Sequence, residues 1–186
     1  MKLFYAAFAA VLYVASFAGD ALAADTLTIQ LKDGPVVIQL APDVAPKHVA
    51  QIEALAKKGA YDNVAFHRVI DGFMAQTGDV QYGNMSKGFD PSLAGTGGSD
   101  LPNIPAEFSK TPFVRGTVGM ARSQDPDSAN SQFFIMFADG SFLNGQYTVV
   151  GKVVSGMEFV DKIKKGEGQN GEVSNPDRMV KVTVAK

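Results

Sequence analysis

The chain has 186 residues, 46% hydrophobic and 19% charged. That is enough for one domain with a real core, and too ordinary a composition for wholesale disorder, collagen or a coiled coil. Its 17 basic and 19 acidic residues leave a net charge of −2 without a long run of either sign, so nucleic acid is not an expected partner, and the absence of cysteine excludes disulfides, thiolate zinc sites and thiol catalysis.

Lys2 precedes Leu3–Gly19, an uncharged run of 17 residues. Asp20 ends the run, and Ala21-Leu22-Ala23 gives the small-x-small pattern that a signal peptidase accepts. Residues 1–23 are therefore read as a cleavable signal peptide, with a mature chain beginning at Ala24. A retained membrane anchor is the competing reading, because the run sits at the lower limit of a span. The cleavage pattern directly behind it favours export to a bacterial periplasm, with no membrane attachment afterwards. No internal repeat or linker divides residues 24–186, which are read as one domain.

Leu27, Ile29 and Leu31 alternate with polar Thr28, Gln30 and Lys32, the pattern of a half-buried strand. Asp33-Gly34-Pro35 is turn chemistry, and Val36–Leu40 is the returning strand of a hairpin. A helix is predicted over Pro46–Lys58, with proline in its first turn and Val49, Ile52, Leu55 and Ala56 on one stripe. Short β-prone runs broken by glycine follow: Ala65–Ile70, Phe73–Gln76, Gly116–Ala121, Gln132–Met136 and Val149–Val154. Gly83–Pro105, rich in Gly, Ser, Asn and Pro, reads as a long surface loop. Ser155–Lys165 is predicted as a second helix with Phe159, Val160 and Ile163 inward, and Met179–Val184 as the strand that closes the sheet. Many short strands with two helices predict a closed antiparallel barrel or a sandwich.

Gly95-Thr96-Gly97-Gly98-Ser99 invites a phosphate-loop reading, but no Lys-Ser/Thr pair follows and the strand-to-helix context is missing. His48 and His67 are the only histidines, neither has an H-x-x-x-H partner, and no metal site is expected. A Ser-His-Asp hydrolase would need one of them, yet the chain has no Gly-x-Ser-x-Gly elbow. Asn84-Met85-Ser86 is a glycosylation triplet of a kind that arises easily by chance. The run Phe66–Gln76 is different, because it sets one arginine, Arg68, among large apolar groups. Strand alternation sends Phe66 and Arg68 to the same face. Gln132–Phe137 is a dense aromatic strand, and Phe142-Leu143 follows a Gly-Ser turn. Composition alone would make this a barrel core with an arginine at its rim.

The order of the motifs points elsewhere. Phe66–Asp79 (FHRVIDGFMAQTGD), Val118-Gly119-Met120-Ala121, Asn130–Phe137 (NSQFFIMF) and Phe142–Val153 (FLNGQYTVVGKV) resemble, in sequence, the motifs of the cyclophilin peptidyl-prolyl cis/trans isomerases. The resemblance spans roughly Thr26–Val184. It implies an all-β fold, a closed eight-stranded antiparallel barrel capped by two α-helices. It also implies a catalytic set of Arg68, Gln76 and Phe73, with the proline pocket on Phe73, Met74, Phe134 and Leu143. Gln76 matches the glutamine that hydrogen-bonds the substrate backbone, while Ala121 and Gln132 match the adjoining groove. Arg122, Phe142 and Tyr147 complete the implied substrate-binding set as departures. Phe142 and Tyr147 stand where many eukaryotic members have tryptophan and histidine, and Arg122 replaces an asparagine whose backbone binds peptide. The first two changes imply weak cyclosporin binding.

The implied partners are proline-containing peptides and unfolded exported proteins. The expected state is a monomer that needs no cofactor. Rotation about an X-Pro amide breaks resonance without making a bond to carbon, so neither a nucleophile nor a metal is required. A periplasmic chaperone that holds proline segments without catalysis is the alternative reading, and the intact set of Arg68, Phe73, Gln76 and Phe134 favours the enzyme.

Overall fold

A computed structural model describes residues 25–186, and the predicted signal peptide lies outside the described residues. The chain opens with the predicted hairpin of β1 (Thr26–Gln30) and β2 (Pro35–Leu40). Their alternate residues Leu27, Ile29, Val36, Ile38 and Leu40 all enter the main core. Helix α1 (Pro46–Lys57) buries Val49, Ile52, Leu55 and Ala56, as its apolar stripe requires, and packs against the last strand.

Eight strands form one antiparallel sheet: β1, β2, β4 (Arg68–Ile70), β5 (Met74–Thr77), β6 (Thr117–Met120), β7 (Phe133–Met136), β8 (Val149–Ser155) and β10 (Lys181–Ala185). Their order is β10-β1-β2-β8-β6-β7-β5-β4, so the sheet curls with β10 and β4 as its two edge strands. The expected closed barrel is not formed, because β4 and β10 do not pair with each other. Another segment occupies the free side of β4: Val69 N–H donates to Gly171 O at 2.7 Å, and Gly166 N–H donates to Val69 O at 2.8 Å. A separate two-stranded ladder of β3 (Val64–Ala65) and β9 (Arg178–Met179) lies beside this opening.

Two further expectations change. The predicted strand Ala65–Ile70 divides into β3 and β4, with Phe66 and His67 between them. This break shifts the alternation by one residue. Phe66 and Val69 both enter the main core, while Arg68 is half-buried on the opposite face, not on the face of Phe66. The predicted second helix shrinks to one turn, α2 (Met157–Val160), which packs against β2. Only Val160 and Ile163 are buried from its expected inner face, and four residues cannot present a longer stripe.

The middle strands bury both faces. On β5 and β7, Ala75, Phe133 and Ile135 enter the main core, while Met74, Phe134 and Met136 form a second cluster with Phe113, Leu143 and Val149. That accounts for the continuous apolar run at Phe133–Phe137, which a one-sided strand would not need. Gly119 of β6 lies beneath the stacked rings of Phe113 and Phe134, whose centroids are 5.8 Å apart. A Cβ at Gly119 would stand 2.5 Å from one ring and 2.6 Å from the other, so no side chain fits.

Helix α1 has no side-chain cap of its own at Ala45. Glu107, far along the chain, supplies one: its carboxylate accepts the N–H groups of Lys47 and His48 at 3.1 Å and the His48 ring at 2.7 Å. Burial by itself would raise this carboxyl, but the bonds from the His48 ring and the two backbone amides outweigh it and hold Glu107 below its ordinary value. A carboxyl depressed by folding stabilises the fold above its ordinary range and stops doing so as acid protonates it. Glu107→Gln is therefore expected to lower stability at pH 7 by about 0.5–1 kcal/mol, the scale of a helix cap. Denaturant titrations should show this difference fading below about pH 4; a gap that persists at low pH would contradict the capping role.

Candidate active site

Arg68 and Gln76 face each other as register partners across the β4–β5 hairpin. The turn between the strands carries Phe73, whose own N–H donates to Ile70 O and whose carbonyl accepts Phe137 N–H at 2.8 Å. Met74 and Phe134 rise from neighbouring strands and are almost fully buried. A 3₁₀ turn over Ser141–Leu143 delivers Phe142 and Leu143. The Asn144 side chain, just beyond it, accepts Phe113 N–H at 2.8 Å and so fixes this turn to the second core cluster.

These elements enclose a cavity of about 280 Å³. Arg68 and Gln76 form one polar wall; Phe73, Met74, Phe134 and Leu143 supply apolar surface; Phe142, Tyr147, Ala121 and Arg122 complete the lining. Phe142 is 63% exposed and tilts against Phe73 with centroids 5.5 Å apart. Tyr147 meets Phe134 edge-on at 5.8 Å. Of the eleven site residues predicted from sequence, ten line this one cavity. Gln132 is the exception: it lines an adjoining cavity of about 270 Å³ and touches the first through Gln76.

A continuous line of hydrogen bonds holds the guanidinium. Arg68 Nη1 donates to Gln76 Oε1 at 3.2 Å, and Gln76 Nε2 donates to Gln132 Oε1 at 3.0 Å. Gln132 Nε2 then donates to Gly95 O at 3.0 Å and to Gly97 O at 2.8 Å. A guanidinium only donates and a carbonyl only accepts, so both ends force the two amides into one orientation. The glycine loop is itself anchored by Asp79, which is fully buried. Its carboxylate accepts the N–H groups of Gly95 at 2.7 Å, Tyr82 at 2.9 Å, and Gln81 and Gly97 at 3.0 Å. A Cβ at Gly97 would stand 2.5 Å from the Asp79 oxygen, so the close approach needs glycine. From the other side, Arg68 Nε donates to Asn170 O at 2.9 Å.

His67 lies next to Arg68 but is buried, and burial pushes its imidazole below the ordinary value. Among the described residues neither ring nitrogen has a hydrogen-bond partner, the other histidine is bound to Glu107, and neither histidine engages a serine hydroxyl. Among the described residues no three His, Cys, Asp or Glu side chains cluster as a metal site would require.

The family model for cyclophilin type peptidyl-prolyl cis-trans isomerase/CLD matches residues 26–184. The chain belongs to the cyclophilin-type peptidyl-prolyl cis-trans isomerases. It is 65% identical over 191 residues to a probable peptidyl-prolyl cis-trans isomerase of Brucella suis, covering 99% of this chain and 97% of that protein. It is 38% identical to peptidyl-prolyl cis-trans isomerase B of Escherichia coli, over 74% of this chain and 83% of that one. Among solved structures it is similar to a cyclophilin type isomerase of Cryptosporidium parvum crystallised in the presence of the dipeptide Ala-Pro. That match has a TM-score of 0.72 and 25% identity, and covers 87% of this chain and 99% of the other. Family, relatives and structural neighbours together make this cyclophilin an enzyme, a peptidyl-prolyl cis-trans isomerase.

Sequence reasoning gave no role to several residues that build the cyclophilin's site. Asp79 closes the FHRVIDGFMAQTGD motif, and its place beside Gly78 was the available signal. The sequence of Gly95–Ser99 leaves a flexible and a packed loop both open once a phosphate loop is set aside; the structure packs Gly95 and Gly97 against Asp79 and Gln132. Asn170 acts through its backbone carbonyl, for which no sequence signal exists.

Proposed function

We propose that this cyclophilin rotates X-Pro bonds without a covalent step, using Arg68 and the apolar cavity beside it. The observation that carries the reading is the state of the Arg68 side chain. Nε and Nη1 are tethered, while Nη2 has no hydrogen bond among the described residues and the group lines the cavity. In the twisted transition state the amide loses its resonance, and the prolyl nitrogen regains a lone pair that accepts a hydrogen bond. An arginine stays charged at any working pH, so it favours that localised pair over the planar ground state.

Magnitudes divide the work. A rate gain of ~5 decades requires about 7 kcal/mol of transition-state stabilisation. One charge-assisted hydrogen bond supplies about 1.5–3 kcal/mol. The remainder falls to positioning: Phe73, Met74, Phe134 and Leu143 hold the proline ring, and Gln76 holds the backbone while the preceding carbonyl swings. The substrates on this reading are proline-containing segments of unfolded exported proteins, and the enzyme assists their folding in the periplasm. Support for export comes from the sequence pattern of residues 1–23.

Arg68→Ala is expected to lower kcat/KM about 10- to 100-fold in a proline-peptide isomerisation assay while leaving the thermal midpoint unchanged. Undiminished activity would remove Arg68 from the mechanism. For export, mass spectrometry of the protein from producing cells should give a mature N-terminus at Ala24; a chain that keeps residues 1–23 in the membrane fraction would contradict it.

A further inference from the structure

The proline cavity and its neighbour share a wall of Gln76, Ala121 and Arg122. That shared wall lets a peptide with its proline in the first cavity place a flanking residue in the second. Among the described residues the two linings contain two charged side chains, Arg68 and Arg122, and no carboxylate. This does not follow from composition, since the chain carries more acidic than basic residues. Neither guanidinium has an ion-pair partner among the described residues. Two carboxylates, Glu167 and Glu172, line a third cavity on the Asn170 side of Arg68.

Arg122 is also held in place. Its Nη1 donates to Ser123 O at 2.9 Å and to Gln124 O at 3.3 Å, and its Nη2 donates to Gln146 O at 2.9 Å. The guanidinium stacks on the Tyr147 ring at 4.5 Å from its centroid. It therefore ties the loop after β6 to the loop before β8 across the mouth of the cleft. Carbonyl oxygens satisfy these donors without cancelling the charge, and half-burial limits how far water screens it. A fixed positive charge without an ion-pair partner attracts the carboxylate of a bound peptide and repels an ammonium.

We infer that Arg122 is a specificity-determining residue of this cyclophilin, selecting X-Pro substrates that carry an acidic side chain on the flank of the proline lying in the second cavity. The inference rests on the assignment of the proline ring to the first cavity. It goes further by naming which charge the neighbouring residue bears.

Three families of tetrapeptides test it, with Glu, Gln or Lys placed one residue before proline, two before, or one after. At one of these positions the wild type should rank Glu over Gln over Lys in kcat/KM, each step by about two- to fivefold, the scale of a partly exposed charge pair. The preference should collapse toward unity in Arg122→Gln and in ~1 M salt, where the screening length falls to about 3 Å, and should survive in Arg122→Lys. Equal rates for Glu and Gln at every position, or a preference that persists in Arg122→Gln, would overturn the inference. Should Arg122→Gln fail to fold, nitrogen-15 shifts of the wild-type Arg122 guanidinium decide the matter. Movement with the Glu peptide and not with its Gln analogue supports the inference, and identical movement with both overturns it. Absence of turnover with every peptide would instead strike at the isomerase assignment, so the two failures are separable.

Discussion

An isolated arginine beside an apolar cavity faces opposite demands. It must stay charged and aimed, yet a flexible four-bond side chain gains entropy by swinging into water. The cyclophilin resolves this by a chain of hydrogen bonds that starts at a buried carboxylate. Asp79 accepts four backbone N–H groups, two of them from the glycine loop. The loop's carbonyls orient Gln132, Gln132 orients Gln76, and Gln76 with Asn170 fixes the guanidinium. Each link is directional, so an error at one end propagates to the other. An acceptor left unpaired in so buried a place costs about 1–3 kcal/mol, which penalises alternative arrangements of the loop.

The sheet explains why this chain can be rigid. Strands β5 and β7 bury residues on both faces, so neither is free to slip in register. One face completes the core under the helices; the other supplies Met74 and Phe134 to the cavity. The same packing that stabilises the fold thus shapes the site. The open side of the sheet serves the site as well: with β4 unpaired to β10, the segment around Asn170 and Gly171 lies along β4 and reaches Arg68. A barrel closed by direct β4–β10 pairing would leave no room for that segment.

Legibility in the sequence follows the range of each interaction. The β1–β2 hairpin and helix α1 are written in local alternation, turn chemistry and an apolar stripe, and the structure repeats them. The cavity residues were found because their motifs are contiguous and stand in the cyclophilin order. What escaped depends on distant partners. Glu107 caps α1 from a loop some sixty residues away, and Asn170 contributes only a backbone carbonyl. The one-residue phase shift between Phe66 and Arg68 arises where β3 leaves the sheet of β4, which no periodicity announces. Helix α2 stops after one turn, and Ile163 reaches the core from the turn that follows it, a boundary that the apolar spacing of Phe159, Val160 and Ile163 does not mark.

The central claim is that Arg68 works only as the end of the relay, and a double-mutant cycle between Arg68 and Gln132 measures that directly. Gln132→Leu in the wild-type background should lower kcat/KM about tenfold by releasing Gln76 and the guanidinium, a loss of about 1.4 kcal/mol. In the Arg68→Ala background the same substitution should cost almost nothing further, since the group it positions is gone. Two losses that simply add would contradict the account and make Gln132 and Arg68 independent contributors.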